Sequence, residues 1–217
     1  PPSHALAELL RRSHHSTSSL RHLAIGPSSF LVHLDQLHEL LAHAHTADYV
    51  AVDRWLGSPR RVTLEERAEL LAAFALLLER LDELANTSRG WPAERTLELE
   101  ESELATFHRS GLAFLVCVHA ILLTYPVAYA FLEPPGLPAE TCLDELRVFR
   151  VVAPHLQTGR VACVSSFSCA QNLINGEARI GKEWLATFER AFSDGSAREH
   201  FGAPSLAIES HTSGVVL

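Results

Sequence analysis

Methionine is absent altogether from this chain of 217 residues, although a chain so rich in Leu and Ala would ordinarily carry a handful. Lysine occurs once, at Lys182, against seventeen arginines. Arg and Ala codons are GC-rich and Lys codons AT-rich, so this bias reports a GC-rich genome rather than a function. It leaves the surface with planar guanidinium charges in place of flexible ammonium ones. A basic surplus is also missing. The net charge of −8 argues against general nucleic-acid binding, and the longest basic run, Ser58-Pro59-Arg60-Arg61, reads as a solvated loop.

Several catalytic signatures are missing too. The four cysteines, Cys117, Cys142, Cys163 and Cys169, form no C-x-x-C pair, which speaks against a thiolate zinc site. Ser165, Ser166 and Ser168 lie outside any G-x-S-x-G elbow, so a hydrolase nucleophile has no support. Neither a G-x-G-x-x-G nor a Walker loop occurs, and Gly176 to Gly181 reads as a turn and strand rather than a phosphate cradle. No cofactor is expected. The first residues, PPSHALAELLRR, carry neither the charged start nor the apolar run of a signal peptide. The expectation is a reduced, intracellular protein, cytoplasmic or nuclear.

What is present is a folded composition: 47% hydrophobic and 20% charged, without repeats or low-complexity tracts. The most informative stretch is Gly111 to Leu132, GLAFLVCVHAILLTYPVAYAFL, which has no Asp, Glu, Lys or Arg. Its length suits either a membrane span or a buried helix. Inside it lie His119, Thr124, Tyr125 and Pro126, and no Lys/Arg cluster or Trp belt flanks it. The core reading is therefore preferred: one central helix kinked at Pro126, in which Val118, Leu122 and Leu123 are nearly inaccessible.

Amphipathic patterns around it supply partners for such a helix. Ser3 caps a short helix to Arg12. Gly26-Pro27 opens one at 27–45, with Phe30, Leu34, Leu37 and Leu41 on its apolar face, and Asp48 to Leu56 forms another. Thr63 to Asn86 is the strongest, with a Thr63/Glu66 capping box and a broad stripe containing Leu70, Phe74, Leu77, Leu78 and Leu81. An acidic helix follows Pro92 towards Ser110, and Pro138 opens one to Val152. Beyond Pro154, Val161 to Phe167 alternates, Leu173 to Gly176 signals a hairpin turn, Trp184 to Phe192 is amphipathic, and 205–217 holds two short strands. The fold expectation is a mainly α, multi-helix bundle around the central helix 111–132, with a small, irregular, β-containing C-terminal region. Residues 1–155 make the bundle and 156–217 an α+β extension packed on it.

Thirteen histidines are the other notable presence. His38 and His43 are five apart, one more than the H-E-x-x-H motif needs, and about 140° apart around a helix at 100° per residue. Asp35 with His38 (i,i+3) and Glu39 with His43 (i,i+4) keep a metal-ligating geometry, which makes these four residues weak metal candidates for a helical-bundle metalloenzyme. A second expectation places a small molecule between helices at His119, Tyr125 and Tyr129, as in a regulatory domain. The leading expectation is a non-enzymatic module that binds another protein chain or self-associates into an oligomer, with Trp184, Phe188 and Phe192 as the partner-binding face.

Overall fold

A computed structural model describes residues 20–33, 37–52, 59–87, 96–132, 142–143, 146–173, 177–194, 197–211 and 215–216. Helix takes about 48% of these residues and strand 34%, which overturns the mainly α, all-helical bundle. In chain order the elements are β1 (Leu20–Ile25), β2 (Ser28–His33), α1 (Leu37–Thr46), β3 (Asp48–Ala51), β4 (Arg60–Arg61), α2 (Leu64–Thr87), β5 (Leu97–Leu99) and α3 (Glu101–Phe107). After a 3-10 turn at Gly111–Ala113 come α4 (Phe114–Leu122), β6 (Val127–Ala130), β7 (Cys142–Leu143), β8 (Leu146–Pro154) and β9 (Val161–Ala170). The chain ends with α5 (Glu177–Asp194), α6 (Ala197–His200), β10 (Ser205–His211) and β11 (Val215–Val216).

Three sheets of three strands run β2-β1-β5, β4-β3-β6 and β10-β8-β9, and β7 pairs with β11. Two of the pairings are parallel, β1 with β5 and β3 with β6. A parallel pair needs a long crossover, and α2 lies within both of these connections. Its capping box forms: the Thr63 amide donates to Glu66 Oε2 at 2.7 Å, and the Glu66 amide to Thr63 Oγ1 at 3.2 Å. Arg60 grips the same carboxylate with both Nη atoms and holds the Glu66 carboxyl down at about 2.

The β3–β6 pair divides the interior. Tyr49, Ala51, Ala128 and Ala130 join a first core with Leu23, Ile25, Phe74, Leu77, Phe114 and Val118. Val50, Val52 and Val127 join a second, built on Phe149, Val151, Phe167 and Trp184. Alternate residues of both strands thus bury on opposite sides. Residue 155, the expected unit boundary, lies in the turn that joins β8 to β9.

The apolar segment is not one helix. It is a 3-10 turn, a nine-residue helix, a turn and a strand, so the central-helix expectation is corrected. Val118 is fully buried, but Leu122 is half-buried and Leu123 is 47% exposed. The reason is local: a residue before proline avoids the helical region, so Tyr125 leaves the helix and Pro126 cannot re-enter its ladder. β6 is buried on both faces and therefore lacks the polar alternation that marks a half-exposed strand. Among the described residues, no helix is long and apolar enough to cross a membrane.

Three other expected helices change likewise. Gly26-Pro27 is the tip of the β1–β2 hairpin, not a helix start; Gly26 has φ +52° and takes the first central position of a two-residue turn. The helix of 27–45 is reduced to α1. Asp48 onward is strand β3, with 53–58 outside the described residues. Of the 138–152 pattern, Leu143 falls in β7 and Leu146, Phe149 and Val152 in β8, with 138–141 and 144–145 outside the described residues. Of Gly176 to Gly181, residues 177–181 fall at the start of α5 instead of a turn and strand; 174–176 and the Ser3–Arg12 helix lie outside the described residues.

Candidate functional site

The turn from α4 into β6 is the feature around which a site can be built. Its hydrogen bonds define a Schellman cap: the Tyr125 amide donates to the Ala120 carbonyl at 2.8 Å, and the Thr124 amide to the Ile121 carbonyl at 3.0 Å. That cap requires a left-handed residue at position 124, usually glycine. Here Thr124 takes it with φ +55°, and among the described residues no other non-glycine residue has positive φ. A β-branched side chain there is strained. Two further bonds pin the turn: His43 Nε2 donates to the Tyr125 carbonyl at 2.9 Å, and the Asp48 amide to the Pro126 carbonyl at 2.9 Å. Tyr125 packs against both cores, so the turn sits at the seam between them.

A cavity opens on each side of this turn, and their charges differ. The first, of about 700 Å³, reaches from α1 to α5; among the described residues its wall has three carboxylates, Glu39, Asp48 and Glu183, and neither Lys nor Arg. Asp48 lies 3.6 Å from the Arg61 guanidinium. Trp184 also lines this cavity; it is 3% exposed, and its indole nitrogen has no hydrogen-bond partner among the described residues. Burial lowers the proton affinity of His43 more than its bond to Tyr125 raises it, so the imidazole is held neutral and donates through Nε2.

The second cavity, of about 560 Å³, lies between α4, β6 and the β8–β9 ladder. His119, Tyr125 and Tyr129 all line it, so the three residues expected from sequence to hold a small molecule share one wall. His119 meets the Phe30 ring edge-on at 4.9 Å, and its Nε2 is buried without a hydrogen-bond partner among the described residues. Desolvation lowers its proton affinity as well. The Tyr129 hydroxyl donates to the Ser168 carbonyl at 3.2 Å, and burial raises its pKa. The apolar wall includes Val116, Leu123 and Val148. The polar groups added by the ladder are Arg150, Ser166 and Ser168, which carried no motif and could be found only from the β8–β9 register.

The expected partner-binding residues separate. Trp184 is a core residue, edge-on to Phe167 at 4.8 Å and to Tyr125 at 6.3 Å. Phe188 packs on Trp184 at 5.3 Å, and Phe192 sits apart, 5.9 Å from Phe201 beside a third hollow. Of the metal candidates, Glu39 and His43 both line the first cavity. Asp35 and the side chain of His38 lie outside the described residues. Among the described residues, no group of three His, Cys, Asp or Glu could hold a metal ion.

One arrangement had no signal in the sequence reading. Ser110 turns both its amide and its hydroxyl toward His108 Nδ1, at 3.2 and 2.7 Å, while His108 Nε2 lies 3.7 Å from Glu69 Oε1. The order serine–histidine–carboxylate matches a hydrolytic relay, but Ser110 is 0% exposed and His108 3%. No substrate can reach that hydroxyl in this conformation, and the cluster terminates α3. The buried thiols are equally inert: burial pushes Cys169 up to about 12 and Cys117 higher still.

Fold and site together define an α+β protein whose two cores meet at a strained turn between two cavities. Residues 3–212 match the model of a family described as a domain of unknown function, DUF4504, and the chain belongs to that family. No curated protein and no solved structure matches it.

Proposed function

We propose that this protein is a binding module that holds a small molecule in the cavity between α4, β6 and the β8–β9 ladder. The observation that supports it is about 560 Å³ of space that His119, Tyr125 and Tyr129 line together with Arg150. The volume falls in the range typical of ligand pockets. Strain at Thr124, next to the wall, is the kind that accumulates at binding sites. Binding is preferred to turnover because the lining pairs His119 with neither a carboxylate nor a thiol, so no nucleophile, base and orienting group are assembled.

The test is a thermal-shift screen of small amphipathic compounds on the full chain and on Val148→Trp, whose indole would fill the cavity from β8. A true ligand at about one hundred times its Kd should raise the wild-type Tm by about 5–10 °C, and the variant's hardly at all. Ring chemical shifts of Tyr125 and Tyr129 report the same event without a variant. If no compound distinguishes the two proteins, or the binders leave both rings unmoved, the reading is wrong.

A further inference from the structure

The two cavities separate charge in a way the whole chain does not suggest. Acidic residues outnumber basic ones, 26 to 18. Yet the cavity at His119 has Arg150 and, among the described residues, no Asp or Glu in its wall, while the carboxylates gather on the far side of the 124–126 turn. The β8–β9 ladder grades the cavity from apolar to polar. Leu146, Val148 and Arg150 are successive same-face positions on β8, spanning about 13 Å at about 3.3 Å per residue. Val148 stands opposite Ser168 and Arg150 opposite Ser166, so the guanidinium end also carries a hydroxyl. Val116 and Leu123, 40% and 47% exposed, continue the apolar surface from α4.

From this we infer that the cavity takes an apolar molecule with a single anionic oxygen group, of the fatty-acid class, its hydrocarbon along Leu146, Val148 and Leu123 and its head group toward Arg150 and His119. The inference rests on the binding reading above and narrows it. Arg150 already meets Glu209 from β10, with Nη1 2.8 Å from Oε1. A guanidinium presents five N–H donors in a planar fork, so a second acceptor can share it without displacing the first. His119 supplies the other donor. Desolvation lowers its proton affinity, and a carboxylate placed beside it would raise it.

Three probes with one hydrocarbon body separate head-group recognition from cavity filling: octanoate, octanol and octylamine, titrated into the full chain below their aggregation limits. Octanoate should bind at least about tenfold more tightly than octanol, with octylamine weakest, that ratio being the minimum for one good charge-assisted contact. Arg150→Gln, on a half-buried strand position, should abolish most of the preference for octanoate while leaving octanol binding intact. His119→Gln should do the same, and in the wild type the His119 ring should titrate at higher pH when octanoate is bound. Equal binding of octanoate and octanol, or a preference that survives Arg150→Gln, overturns the acid class and leaves the cavity reading standing. Failure of all three probes to bind, or binding unaffected by Val148→Trp, overturns this inference and counts against the cavity as well.

Discussion

Replacing Thr124 by glycine should stabilise this protein, although the change deletes a half-buried side chain. The magnitude follows from the Schellman cap. An L-residue in the left-handed region costs about 1–2 kcal/mol, and a β-branched one belongs at the upper end. Glycine at φ +55° removes that cost but gives back about 0.4–1 kcal/mol through the greater freedom of its unfolded chain. The net gain is about 1–1.6 kcal/mol, or about 2–6 °C in Tm for a chain of this size. Urea unfolding followed by circular dichroism is the assay, and the midpoint should rise with the slope m unchanged. Thr124→Ala is the control. It keeps the Cβ that causes the strain and should gain much less than glycine. A glycine variant with a lower midpoint than wild type would show that the turn is held by the threonine side chain and that the strain argument is wrong. If the turn serves binding, the glycine variant should also hold its ligand less tightly, because the loosened loop must be ordered on binding.

Two further predictions concern the histidines and the α5–sheet contact. His43, His108 and His119 all have proton affinities lowered from 6.5 mainly by burial, so each is neutral when folded and takes up a proton more readily when unfolded. Stability should therefore be full above about pH 6.5 and fall as the pH drops toward their folded values, with uptake of between about one and three protons on unfolding; a urea midpoint flat from pH 7 to pH 5 would refute this. Gly181 lets α5 approach the sheet, since a Cβ there would lie 2.6 Å from Leu206 Cδ2 and 3.4 Å from the Phe149 ring. Gly181→Val should cost about 1–3 kcal/mol by overpacking, whereas helix propensity alone predicts a small gain, so the sign of the change in urea midpoint decides.

The sequence alone was sufficient where local chemistry and burial pointed the same way. α2 is legible because Thr63 and Glu66 cap it and a broad apolar stripe runs its length; α5 and the alternating strand β9 are legible for similar reasons. His119, Tyr125 and Tyr129 could be grouped because they lie within one short apolar segment, and they do line one cavity. What could not be read was the state of apolar runs buried on both sides. Residues 127–130 show neither a period of two nor one of 3.6, because β6 meets the first core with Ala128 and Ala130 and the second with Val127. A strand with no exposed face carries no polar mark, and next to a genuine helix it reads as that helix continued. Gly26-Pro27 was ambiguous in the same way, since glycine followed by proline opens a helix or closes a hairpin, and only pairing of Ile25 with Ser28 chooses between them. Arg150, Ser166 and Thr124 had no sequence signal at all. The first two meet across a ladder of non-local pairs, and the third takes its left-handed conformation where Pro126 ends α4 and where His43 and Asp48, distant in sequence, hold the turn that follows. Long-range pairing is set by which surfaces the whole chain can bury at once, so it belongs to the tertiary structure and not to any local stretch of residues.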